Sequence, residues 1–175
     1  MKKINIATKN WLSERLQLEI STEKSKIVNL NKNYSEFLGF RMKLMKKNKV
    51  KVIKSRMSEK SIKKVKEKIK EKIDGLNENT SISANKYNAT ILGVHNYYKV
   101  ATHVNRDFRK INHQVSKNLF NQTKNIKTKI SKYSQSFMKF YGNYNGKFIG
   151  IQGIALYPIY GVTTKTIYNF NCSFS

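Results

Sequence analysis

The chain has 175 residues, enough for one ordinary domain or two small ones, and its 39% hydrophobic content suits modest cores better than one large one. Lys and Arg number 35 against 10 Asp and Glu, a formal net charge of +25; such a chain repels itself, so its natural partner is a polyanion, nucleic acid first and an anionic membrane surface second. A single cysteine, Cys172, excludes intrachain disulfides and cysteine-rich zinc sites.

The polar "INIATKN" after Lys2 and Lys3 is no signal peptide, and the longest uncharged run, 148–164, is short for a membrane span and broken by Gln152, Gly153 and Pro158. The protein therefore reads as intracellular, cytoplasmic in a bacterium or organellar, and not secreted.

Ile4, Ala7, Trp11, Leu12 and Leu16 recur at helical spacing and predict a short amphipathic helix. "LQLEIS" (16–21) alternates apolar and polar residues and predicts a half-buried strand. A lysine-rich turn holding Lys24 and Lys26 follows, then "KIVNL". "EFLGFRMKLM" and "KVKVIKS" predict two more strands joined by "KKNK" at 46–49, which makes residues 1–57 a small α+β unit.

Ser58 suits a helix N-cap, with Glu59 in the first turn where negative charge complements the dipole. Ile62, Val65, Ile69, Ile73 and Leu76 then form one narrow apolar stripe, and Gly75 offers a stop. Seven lysines between 60 and 72 cover the remaining faces. They suit a solvated surface, with Glu67 and Glu71 paired to lysines three or four residues away, and that surface is also free to meet phosphate.

Tyr87, Ile91, Val94, Tyr98, Ala101, Val104, Phe108, Ile111, Val115 and Leu119 recur at steps of three or four. They predict either one long helix or two, broken near "THVNRD" (102–107), with Asn105 or Asp107 capping the second. Phe137, Phe140, Tyr141 and Tyr144 predict a further helix ending between Gly142 and Gly146. Three striped helices with short links make a small bundle. "KFIGIQGIALYPIYGV" then reads as a hairpin about "QG", with Pro158 ending its second strand.

The acids decide much of the chemistry. None of the ten forms the clustered aspartate pair that a two-metal phosphoryl-transfer site uses. His95, His103 and His113 have no carboxylate or cysteine at ligand spacing, and His95 lies on the apolar stripe as a core histidine would. What remains is a binding surface. Residues 41–73 carry 15 Lys/Arg against three Glu (+12), and residues 99–147 carry 11 against one Asp (+10). Charge of that density neutralises phosphates and makes binding steeply salt-dependent. The aromatics from Tyr133 to Tyr144 suit core packing, with Tyr133 the best candidate for stacking on an unpaired base.

Four stretches carry a resemblance. "WLSERLQLEISTEKSKIVNLNKNYSEFLGFRM" (11–42) resembles the late palm of group II intron-encoded reverse transcriptase/maturases, where an "LxLSxEKTKI"-like block precedes an "FLGF" turn. "SRMSEKSIKKVKEKI" looks like the start of that family's thumb, or domain X. "YNATILGVHNYYKVATHVNRDF" is similar to its most recognisable helix, and "GNYNGKFIGIQGIALYPIYGV" to the segment linking thumb and C-terminal region. The stretches keep the family's order over residues 1 to about 165.

The resemblance implies three parts: the incomplete end of a palm at 1–57, a thumb of three bundled helices at 58–146, and a truncated, β-containing linker at 147–175. It implies RNA binding in splicing and the holding of template and primer. The partners are group II intron RNA or an RNA/DNA template–primer, and the missing fingers and palm; no membrane is implied. The "YADD" aspartates that hold Mg²⁺ in the whole family enzyme lie upstream and are absent here. No nucleotidyl transfer, catalytic residue, metal ligand or cofactor is therefore expected of this chain alone.

Phe37 and Gly39 of "FLGF" are implied to grip the primer strand, with Gly39 allowing close backbone approach, and Lys24 to stand where the family places a lysine near the incoming triphosphate. With these, the candidate nucleic-acid contacts are Lys26, Arg41, Lys63, Lys64, Lys70, Lys72, Arg106, Arg109, Lys110 and Lys117.

Overall fold

A computed structural model describes residues 2–21, 25–47 and 50–161. The fold is α+β: a three-stranded antiparallel sheet, five helices and a short C-terminal hairpin. In chain order these are α1 (Lys2–Leu16), β1 (Ser35–Phe37), β2 (Phe40–Lys47), β3 (Val50–Met57), α2 (Glu59–Asp74), α3 (Ser81–Tyr98), α4 (Val104–Thr123), α5 (Gln135–Tyr141), β4 (Gly150–Ile151) and β5 (Ile154–Ala155).

The first helix forms where its spacing predicts, but its apolar residues stay in solvent: Ile4 is 71% exposed and Trp11 54%. The strand expected at 16–21 is absent. Gln17 takes a left-handed φ of +53° and the Leu18 N–H closes on the Leu12 carbonyl, so the stretch ends the helix. Alternation alone cannot hold a strand that has no neighbour to pair with.

"EFLGFRMKLM" is two strands and a turn, not one strand. Leu38 (φ +47°) and Gly39 (φ +79°) are the two central residues of a tight hairpin, both with the positive φ that matches the twist of the flanking strands. β2 then pairs with β3 from Phe40 opposite Met57 to Lys47 opposite Val50, as expected of the "KKNK" junction.

Ser58 caps α2 as its position predicts, its side chain accepting from the Ser61 N–H at 3.2 Å. All five stripe residues, Ile62 to Leu76, are buried, each contributing about 2 kcal/mol of burial. The α-helix stops at Asp74 with Gly75 as its C-cap, as expected, although Gly75 keeps a helical φ of −69° and is not left-handed. The chain tightens into a 3-10 turn (Gly75–Glu78) that carries Leu76 into the core, and the left-handed residue is Asn79 (φ +48°). Glu71 bonds its neighbour Lys72 at 2.7 Å instead of a lysine one turn away, and Glu67 makes no ion pair. In a helix this lysine-rich, every acid has several competing partners in water.

The long stripe breaks into two helices. α3 is capped by a reciprocal Thr80–Ser83 pair, while α4 starts after His103 with no side-chain cap. Asp107, expected as a cap, faces β3. Its fully buried carboxylate accepts from the Met57 N–H (3.0 Å) and from the Arg56 guanidinium (Nε, 3.0 Å), which holds Arg56 firmly in its charged form.

α2 packs on both α3 and α4. The sheet joins this body through Ser58 N–H to Gly39 O, His103 N–H to Ser55 O and Tyr97 Oη to Leu38 O. α5 ends at Gly142 as expected, and β4–β5 turn about Gln152 (φ +50°) and Gly153 (φ +77°), repeating the geometry of the first hairpin. Asn88 of α3 ties this segment down, donating to the Ala155 carbonyl and accepting from the Tyr157 N–H. The rest of the expected tail lies outside the described residues. Among the described residues no helix is long and apolar enough to cross a membrane.

Candidate nucleic-acid interface

The β2–β3 ladder has an unusual composition. Three of its eight rungs set cation against cation: Arg41 opposite Arg56, Lys43 opposite Lys54, and Lys46 opposite Lys51. Like charges directly opposite one another destabilise a sheet. The first rung is answered within the fold, because Arg41 pairs with Glu59 (3.3 Å) and Arg56 with Asp107. On the second, Lys43 lies 5.1 Å above the Tyr34 ring and Lys54 has no acidic partner. The third has no acidic partner on either side.

Glu59 joins this cationic sheet to the helices. It accepts from Lys110 of α4 at 3.1 Å while it pairs with Arg41 of β2, and these contacts hold its carboxyl below the usual range, the Lys110 hydrogen bond foremost. At the other end of α2, Asp74 accepts from Asn118 of α4 at 2.7 Å. The two contacts show α2 and α4 lying side by side in the same sense. Helical spacing then puts Lys63, Lys66 and Lys70 on the flank of α2 that borders α4, in line with Glu59 and Asp74. Lys110 and Lys117 occupy the matching flank of α4, and Arg106 the adjoining outer face. The cations form a continuous band from the hairpin, through Arg41 and Glu59, along the α2–α4 seam.

The expected contacts divide accordingly. Lys63, Lys70, Arg106 and Lys117 are exposed and without ion-pair partners, in or beside the band. Lys64 is equally exposed but turned to the outer face of α2, and Lys72 is half-buried against Glu71 on the side toward α3. Arg109 lies outside this band, its guanidinium 5.7 Å over the Tyr160 ring on the far side of α4. Sequence proximity to Arg106 and Lys110 hides this, because a step of three residues swings a side chain about 60° round a helix. Lys26 is exposed ahead of the first hairpin, and Lys24 lies outside the described residues.

Phe37 projects from the hairpin tip at 63% exposure, but Gly39 serves the fold itself. A Cβ there would stand 2.6 Å from Ser61 Oγ and 3.3 Å from the Tyr98 hydroxyl, so the close approach it allows is to α2 and α3. Tyr133 stacks on Phe137 (4.7 Å, 27°), which commits one of its faces to the protein.

Tyr34 went unnoticed in the sequence. It is 53% exposed beneath both Arg41 and Lys43. The signal was the aromatic just before β1, opposite Lys43 and diagonal to Arg41 on the facing strand.

His95 is a core residue. The Ile159 carbonyl can only accept, so Nε2 carries the proton (3.1 Å) and Nδ1 accepts from the Tyr141 hydroxyl (2.9 Å). Burial lowers its pKa to about 4. Among the described residues no group of three His, Cys, Asp or Glu is placed to hold a metal ion. Comparison with family models, with curated proteins and with solved structures finds no match to this chain.

Proposed function

We propose that this chain binds structured RNA along the cationic band, in the manner of the thumb of a group II intron maturase, with the β1–β3 sheet as the end of a palm and α2–α5 as the thumb. The observation that carries the reading is the like-charged ladder. The Lys43–Lys54 and Lys46–Lys51 rungs stand on opposite faces of the sheet, and each keeps its like-charge repulsion until an anion lies over its own face; the Lys43–Lys54 rung shares the face of Arg41 and so belongs to the band. Phosphates spaced along a backbone supply that anion repeatedly, and each contact releases counterions. The α2–α4 seam extends the same field over two helices whose apolar stripes are buried except at the end of α4, where Phe120 is exposed.

On this reading the side chains here hold and orient RNA. They contact phosphate without reading bases, so they set affinity and leave sequence choice to other groups. The partner is an intron RNA or a template–primer duplex.

An anionic vesicle is the competing polyanion, and competition separates the two. A fluorescent, structured RNA is bound by the protein and then challenged with vesicles of mixed anionic and neutral lipid at equal anionic charge. RNA should stay bound, because neither α2 nor α4 offers a broad exposed apolar face to a bilayer. Displacement at comparable charge would replace the RNA reading with a membrane-surface one.

A further inference from the structure

Beyond the cationic band, a cleft opens on the opposite side of α4, between that helix, the segment after α5 and the C-terminal hairpin. It has a volume of about 180 Å³, below the usual range for drug-sized ligands, roughly 300–1,000 Å³, and suited to one planar ring system. Buried Tyr87 and Ile159 form part of its floor, while the half-exposed rings of Tyr144, Phe148 and Tyr160 stand in its wall. At its edge are the Asn112 amide and the Lys147 ammonium, neither of which has a hydrogen-bond or ion-pair partner in the structure. The Tyr144 and Tyr160 hydroxyls likewise have no hydrogen-bond partner.

Two features separate this cleft from leftover packing space. The Tyr144 ring is held before any ligand arrives. A Cβ on Gly146 would run into it, and one on Gly161 (φ +85°) would stand 2.9 Å away, so two glycines let the backbone close on the ring. A wall fixed in advance loses little entropy on binding. The charge is also one-sided: Arg109 lies over the Tyr160 ring, Lys147 stands at the rim, and Asp107, the one acid between 99 and 147, is buried against Arg56. Flat aromatic walls, amide and hydroxyl groups that can meet a ring edge, and cations outside describe a nucleotide.

We propose that this cleft takes a single unpaired nucleobase of the bound RNA, stacked on Tyr160, with Asn112 at its edge and its phosphate near Lys147 and Arg109. The proposal rests on the RNA reading. It gives the chain a contact that distinguishes a bulged or looped strand from a perfect duplex, which phosphate contacts cannot do. Stacking on one aromatic is worth roughly five- to 150-fold in affinity.

The test uses the full chain and two RNA hairpins of equal length, one with 2-aminopurine as a single-base bulge and one with it paired. The bulged RNA should bind at least five-fold tighter, with its fluorescence quenched on binding. Tyr160→Leu should remove both the preference and the quench while leaving affinity for the paired RNA unchanged. Lys147→Gln, an exposed position, should reduce the preference by several-fold and serves if the tyrosine variant melts early.

Equal binding of the two RNAs by the native chain, or a preference that survives both variants, overturns the pocket and leaves the cationic band standing. Binding to neither RNA overturns both. If adenosine monophosphate binds with a quench of Tyr fluorescence and abolishes the bulge preference at micromolar concentration, the cleft takes free nucleotide and the RNA-base assignment fails.

Discussion

The two ends of the molecule use their apolar residues in opposite ways. From Met57 to Ile159 the expected stripes are buried against one another, and even polar groups in the interior, such as Asn88, His95 and Asp107, have their hydrogen bonds made. From α1 to the tip of the first hairpin the described apolar residues lie largely in solvent: Ile4, Trp11, Leu18, Ile27, Phe37 and Leu38 are each more than half exposed. Periodicity shapes a helix, but packing makes it stable, and a 15-residue helix with unburied apolar residues is marginal in water.

Truncating one aromatic in each region tests that contrast with the largest effect. Tyr98 is 8% exposed and packs edge-on against Phe40 and Tyr97, where the hairpin meets α3. Tyr98→Ala should cost about 4 kcal/mol in a denaturant melt followed by circular dichroism. Trp11→Ala should cost about 0.5 kcal/mol or less. Comparable losses would mean that α1 is held by the core after all.

Acid sharpens the contrast from within the packed region. His95 titrates near 4 in the fold and near its ordinary 6.5 when unfolded. Between those values the unfolded chain binds more protons, so stability falls as pH drops from about 6.5 to about 4, by roughly 3 kcal/mol in all. Glu59, held below its usual range, loses its contribution in the same direction as the pH falls further. The histidine's share is therefore read as the difference between the native chain and His95→Gln, whose stability should be nearly flat over that window. An equally steep decline in the variant would assign the acid sensitivity elsewhere.

The packed region was legible in the sequence because its signals agree. The stripe Ile62–Leu76 has helical spacing and a Ser58 cap, and the "QG" turn sits between short apolar runs. Misreadings came where a local pattern needed a partner the sequence does not name. "LQLEIS" alternates like a strand with no strand beside it, and Asp107 looks like a cap but answers Arg56 and Met57 some 50 residues away.

The candidate site was legible as charge and not as shape. Lys63, Lys70 and Lys117 could be named from density alone. That Arg109 turns away to Tyr160, that Gly39 serves Ser61 and Tyr98, and that lysines face lysines across β2–β3 depend on register and helix rotation. Only the ladder had a signal in the sequence: the short "KKNK" junction between two lysine-rich strands, whose pairing sets 43 against 54 and 46 against 51.

The salt dependence of RNA binding tests the cationic band most directly. The triple variant Lys63→Gln, Lys70→Gln, Lys117→Gln changes exposed positions along the α2–α4 seam and should fold with unchanged cooperativity. If each lysine meets a phosphate of duplex-like RNA, the slope of log affinity against log salt should fall by about two to three units. A control that replaces Lys3 and Lys9 of α1 should leave the slope as it is in the native chain. A triple variant with the native slope, or a control that lowers it equally, would contradict RNA binding through this band.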